Sequence, residues 1–236
     1  NGSNELVRRT RFVNIGEEGK YFKGTQEASK PIDAWRKPGF DDSSWSFGTT
    51  PVGYGSPNCG TVLDDMQDHY ISVFMRKEFF VEDPVSVTTL LLSIDYDDGF
   101  VAYLNGTEVA RRMMGNPGSN VYYNDGAAPH DAGLAEAIDI SGDISLLAAG
   151  NNVVAVQGHN TVFKSEDFLV ATELVGQSIV EAAPAPLAVI NEVRTDAAGW
   201  GWVELYNPSP KDANIGGCFL SDHRNDLLRY RISPGT

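Results

Sequence analysis

Two groups of aspartate are the first residues whose type and spacing could do chemistry. Asp64, Asp65 and Asp68 stand in one loop-like stretch, and Asp95, Asp97 and Asp98 flank a turn signal. A hard cation such as Ca²⁺ takes six to eight oxygens, typically from a few carboxylates with backbone carbonyls, and loops rich in Asp and Gly can offer both. A structural Ca²⁺ held by these six aspartates is therefore one expectation. The other is local: an Asp in a turn bonds its own backbone and needs no metal. No Asp-x-Asp-x-Asp-Gly loop of the EF-hand kind occurs.

A second group suits sugar hydroxyls. His159-Asn160 follows an apolar run, Asp167 lies a loop away, and Tyr54, Tyr70, Tyr122 and Tyr123 could offer aromatic faces. The competing reading makes the three polar residues a network that orders loops and the tyrosines amphipathic rim residues. Catalytic chemistry finds less support. His159, Ser165 and Asp167 include the residue types of a triad, but no Gly-x-Ser-x-Gly accompanies them. No His-Glu-x-x-His is present. With 32 acidic residues, a pair of carboxylates can always be found and decides nothing. The expectation is a binding protein and not an enzyme, with no catalytic residue.

These residues must be positioned by strands. Residues 90–110 alternate between apolar and other positions with a period of two and are broken by Asp98-Gly99 and Asn105-Gly106. Asn-Gly meets the positive φ that a two-residue type I′ turn requires. The stretch predicts a three-stranded meander with both breaks as hairpin turns. Strands are also predicted over 70–80 and 167–175, and the continuous apolar run 152–157 predicts one covered on both faces. Residues 111–137 read as a long irregular stretch. Trp35 and Trp45 lie in a Gly/Pro-rich region, where a buried Trp would pin a long loop against a sandwich and an exposed one would serve as a sugar platform.

The fold class that follows is all-β. Net charge is −14, from 18 Lys+Arg against 32 Asp+Glu, which disfavours nucleic acid and simple attraction to anionic lipid. No apolar run reaches the length of a membrane span, so no membrane insertion is expected. The chain begins at Asn1 with no signal segment, and reads as a processed or excised piece of an exported protein, secreted or at the cell surface. Its two cysteines, Cys59 and Cys218, make no metal motif, and read either as a disulfide or as two buried thiols. Asn1-Gly2-Ser3 and Asn105-Gly106-Thr107 match the glycosylation pattern, the second being better explained by its turn. An Ala/Pro spacer over 181–186 predicts a linker between a domain at 1–180 and an incomplete one at 187–236.

Two resemblances attach to these motifs. Phe40-Asp41-Asp42-Ser43-Ser44-Trp45, Val52-Gly53-Tyr54-Gly55, Phe74-Met75-Arg76-Lys77-Glu78-Phe79, the run from Asp97 to Val109 and Gly150 to Asn160 resemble a galactose-binding-like jelly-roll module. That likeness implies a jelly-roll β-sandwich of the kind found in carbohydrate-binding modules of secreted bacterial proteins, often with a structural Ca²⁺. Val189-Ile190-Asn191-Glu192-Val193, Trp202 to Pro208 and Gly217 to Asp222 resemble the start of a lamin-tail domain, which implies the first half of an Ig-like β-sandwich. The expected function is non-catalytic binding, with a polysaccharide or other glycan as partner. The alternatives are a structural or adhesive module, with self-association through 187–236, and an accessory fragment of a secreted hydrolase.

Overall fold

A computed structural model of the chain describes residues 5–181, 188–195, 201–222 and 230–233. The chain divides into two compact units, Glu5–Val180 and a second beginning at Glu181. In the first, the strands in chain order are β1 (Glu5–Val13), β2 (Glu18–Lys23), β3 (Ser46–Thr49), β4 (Val52–Tyr54), β5 (Thr61–Val62) and β6 (Ser72–Val81). They continue with β7 (Val87–Asp97), β8 (Gly99–Leu104), β9 (Thr107–Arg112), β10 (Glu136–Asp139), β11 (Gly150–His159) and β12 (Phe168–Glu181). One sheet runs β10-β7-β12-β4-β5, with β1 also on β12, and the other runs β3-β2-β6-β11-β8-β9. The first unit is an all-β sandwich.

Alternation in the strands sets the core. Leu90, Leu92, Ile94 and Tyr96 of β7 turn inward with Phe168, Val170 and Leu174 of β12, against Val73, Met75, Phe100, Ala102, Val154 and Val156 of the other sheet. Fully burying each such large side chain contributes about 1.5–3 kcal/mol. The intervening residues of the second sheet, Phe74, Val101, Tyr103, Val153 and Ala155, form another cluster on its outer face. Trp35, Trp45, Met114, Val121 and Ala127 roof that cluster from the long connections 24–45 and 113–135. This is why 152–157 is apolar throughout: both faces of β11 are covered. Trp35 and Trp45 are both buried, so neither is a platform, and they pin the long connection against a sheet face.

The meander expected over 90–110 is half right. Asn105-Gly106 is a hairpin turn joining β8 to β9, with φ of 50° and 96° at its two residues. Asn105 Nδ2 donates to the Leu146 backbone carbonyl at 2.8 Å and to Asn152 Oδ1 at 2.7 Å, and Asn105 Oδ1 accepts from Val153 N–H. Asp98-Gly99 is not a hairpin. β7 pairs with β10 and β12, whereas β8 pairs with β11 and β9, so the chain crosses from one sheet to the other at Asp98. Tertiary bonds decide this. The Asp98 N–H donates to His159 O, and the Asp98 carboxylate accepts from His130 N–H and Thr161 N–H. Gly99 answers to crowding: a Cβ there would lie 2.7 Å from that of Ala127.

Strand polarity gathers the long connections at one pole. β2, β4, β7, β9 and β11 end there, leaving 24–45, 55–60, Asp98, 113–135 and 160–167 as its surface, with the 63–71 segment that leads into β6. In the second unit, β13 (Val189–Thr195) pairs with β14 (Gly201–Tyr206), and β15 (Phe219–Leu220) with β16 (Tyr230–Arg231). Val193, Trp202 and Val203 are exposed. β12 extends to Glu181, and the rest of the predicted linker, residues 182–186, lies outside the described residues. Cys59 is half-buried and Cys218 exposed, both free, so burial of both thiols does not hold. Among the described residues no helix is long and apolar enough to cross a membrane.

Candidate functional site

Most residues singled out for chemistry come to the loop-bearing pole, but they divide between bracing and lining. Tyr54 Oη donates to Ser165 O at 2.7 Å and accepts from Asn160 Nδ2 at 3.1 Å. Asn160 also bonds through its backbone to Ile71 and Ala127. His159 lies in the interior, its Nδ1 donating to Asp125 O at 2.7 Å, and burial holds its pKa down at about 4. Tyr70 is in the core, its hydroxyl donating to Asp65 at 2.9 Å; burial, then that carboxylate, pushes its pKa up. Tyr54, Tyr70, His159 and Asn160 therefore tie the loops to the sandwich.

An open cleft lies between these loops. Tyr123 and Phe163 line it with Gly24, Thr25, His69 and Asn124, enclosing about 330 Å³. Tyr123 is anchored by its backbone, the carbonyl accepting from Ser72 Oγ at 2.6 Å. Phe163 is held through its carbonyl, which accepts from Asp68 N–H at 2.7 Å, and its ring is 46% exposed. Tyr122 is exposed too, its N–H donating to the Asp125 carboxylate. Aromatic faces beside a few neutral polar groups are what a small-molecule cleft requires. Of the residues lining this cleft, the sequence reading singled out Tyr123 and not His69, Asn124 or Phe163. The available signal was the apolar pair Val162-Phe163 inside an otherwise polar loop; both side chains are exposed.

A second cavity, about 240 Å³, is lined by Asp97, Asp131 and Asp167 with Gly55, Ser56, Pro57 and Phe168. Burial, then the neighbouring Asp167 and Asp98 carboxylates, raises Asp97 to about 6. Asp167, although exposed, is raised by partial burial and by Asp98 and Asp131. The six aspartates expected to hold a metal are dispersed in role. Asp98 gives both oxygens to backbone N–H groups, Asp95 accepts from Gly133 N–H at 2.8 Å, and Asp65 accepts from Lys23 Nζ and Tyr70. Asp64 and Asp68 are exposed. Among the described residues no group of three or more His, Cys, Asp or Glu is arranged to hold a metal ion.

The Asp97 shift gives a testable pH dependence. Unfolded, this carboxyl releases its proton near pH 4; folded, it does so near 6. Between those values the folded state binds more protons, so this group's contribution to stability falls as pH rises. His159 acts in the opposite sense: its depressed folded pKa means stability is lost as pH falls from about 6.5 towards 4. Denaturation of Asp97→Asn beside the unaltered chain isolates the first effect. The variant's relative stability should climb between pH 4 and 6 and stay level above 7; a constant difference would refute the assignment.

No protein-family model matches the chain, and no curated protein does. Among solved structures it is similar to Bifidobacterium dentium beta-glucuronidase complexed with coumarin-3-O-glucuronide, at 16% identity over 67% of this chain and 20% of that one, TM-score 0.41. It is also similar to a calcium binding mutant of Bacteroides uniformis beta-glucuronidase 2, at 16% identity over 79% and 19%, TM-score 0.47. An uncultured Clostridium sp. beta-glucuronidase matches at 14% identity over 89% and 35%, TM-score 0.43. The chain thus spans 20%, 19% and 35% of those proteins' lengths. At this identity and TM-score the likeness assigns neither family nor activity to this chain.

Proposed function

We propose that the chain is a non-catalytic glycan-binding module of an exported protein, with the sugar seated in the Tyr123–Phe163 cleft. The observation that supports this is the cleft itself: two aromatic side chains, a hydroxyl, an amide and an imidazole around about 330 Å³, open at the loop-bearing pole. Sugar rings present C–H faces that pack on aromatic rings and hydroxyls that both donate and accept, which Thr25, Asn124 and His69 can answer. A net charge of −14 disfavours polyanions, so neutral glycans should bind better than uronate-bearing ones. Since Asp65 and Asp98 already bond protein donors, binding should survive EDTA.

Affinity electrophoresis through neutral and acidic polysaccharides tests the reading. At least one neutral polymer should retard the chain, with or without EDTA. Tyr123→Ala should weaken that interaction at least about tenfold, or about 1.4 kcal/mol, and Phe163→Ala should do likewise. Absence of retardation across the panel, or release of reducing ends during incubation, would contradict a non-catalytic glycan module.

A further inference from the structure

Many of the buried side-chain polar atoms that have no protein partner lie in one layer, between the outer face of the second sheet and its roof. They are Glu27 Oε2, Trp35 Nε1, Arg36 Nε and Nη2, Tyr103 Oη, His159 Nε2 and both amide atoms of Gln157. Gln157 and His159 have no exposed surface. Register places Gln157 between Phe74 of β6 and Val101 of β8, both of which face the roof. His159 is the next residue on that face of β11, beside Ser72.

The groups around Gln157 are electrostatically linked. The Arg36 guanidinium lies 4.1 Å from the Tyr103 ring centre. Glu27 senses Asp125 and Arg36, Tyr103 senses Arg36 and Arg111, and His159 senses Asp125 and Arg111. Arg111 itself is occupied, donating to Glu108, Met114 O and Ser119. With His159 Nδ1 donating to Asp125 O, the neutral ring offers Nε2 as an acceptor. The inventory left over is mixed. Gln157 Oε1, Glu27 Oε2 and His159 Nε2 accept, whereas Gln157 Nε2, Arg36 and Trp35 Nε1 donate.

We propose that the layer around Gln157 is a binding site for hydroxyl groups, roofed by residues 24–45 and 113–135. An inorganic anion would meet three acceptors, and a bare cation would meet the guanidinium and the indole N–H. A hydroxyl donates and accepts, so it satisfies both sets. Leaving a buried amide without partners is costly, and internal water bound by two to four polar groups is the usual remedy. Water and a small sugar share this chemistry. The site is distinct from the aromatic cleft, although Tyr123 packs against the same cluster and its N–H donates to Glu27.

The test begins with a high-resolution crystal structure of the whole chain from polyol-free solution. Ordered oxygens should lie within hydrogen-bonding distance of both Gln157 amide atoms and of Glu27 or Arg36. Titration with monosaccharides separates the sources. Saturable binding that survives Phe163→Ala but disappears in Gln157→Leu identifies a sugar; oxygens that persist without any saturable binding identify water. Thermal unfolding adds a sign. If hydroxyls are held, Gln157→Leu lowers Tm by about 3 °C or more; if the layer is dry, removing the unpaired amide raises it. Should that variant fail to fold, magnetic relaxation dispersion on the unaltered chain reads long-lived internal water. A dry layer, with no long-lived water and a stabilised Gln157→Leu, would overturn the proposal.

Discussion

Trp35→Ala is expected to unfold at a Tm lower by about 6–20 °C. Trp35 has no exposed surface and meets Phe74 and Tyr103 edge-on, with ring centres 5.0 and 5.7 Å away, and Trp45 at 6.2 Å. Truncating a buried Trp typically costs about 3–5 kcal/mol, and a domain of this size loses about 2–4 °C per kcal/mol. The Trp35 main-chain carbonyl accepts from the buried Arg76 guanidinium, which Asp42 holds further at 2.7 Å, so that tie remains in the variant and what is lost is the indole's packing. The roof should therefore loosen before the sandwich does. Limited proteolysis should cut the variant first within 24–45. Equal Tm values for the two proteins would mean that the roof adds nothing to the fold.

Asp98→Ala should be nearly as damaging and should also weaken ligand binding. Its carboxylate accepts from His130 N–H at 3.0 Å and Thr161 N–H at 2.7 Å, at a position only 8% exposed. Truncation orphans two peptide N–H groups, each costing about 1–3 kcal/mol when left unpaired. Those amides belong to the connections 113–135 and 160–167, which carry Tyr123, Asn124 and Phe163. Amide exchange at His130 and Thr161 should accelerate, and glycan affinity should fall with it. Asp98→Asn, which keeps one good acceptor, should lie between. Unchanged exchange at both amides would show that the carboxylate does not tie these loops.

The sequence disclosed the all-β class and most strand positions because alternation and turn residues are local properties. Asn105-Gly106 was legible as a hairpin since its two positive φ values are intrinsic to the turn. Asp98-Gly99 was not: its composition is that of a turn, but its partners, His130, Thr161 and His159, are distant in sequence. The same limit governs the site. Tyr54, His159 and Asn160 have the chemistry of ligand contacts, yet all three are buried, and Tyr54 Oη, His159 Nδ1 and Asn160 Nδ2 bond to Ser165, Asp125 and one another. Phe163 and His69 enter the cleft through loop packing alone, which no spacing encodes.

The account turns on where a sugar touches the protein. Backbone amide shifts recorded while a retarding oligosaccharide is titrated in would locate the contact directly. Saturable shifts should concentrate at Gly24, Thr25, His69, Tyr123, Asn124 and Phe163, the lining of the aromatic cleft. Shifts centred instead on the opposite pole, at Asn105 or Gly150, or on the 201–206 strand, would contradict it.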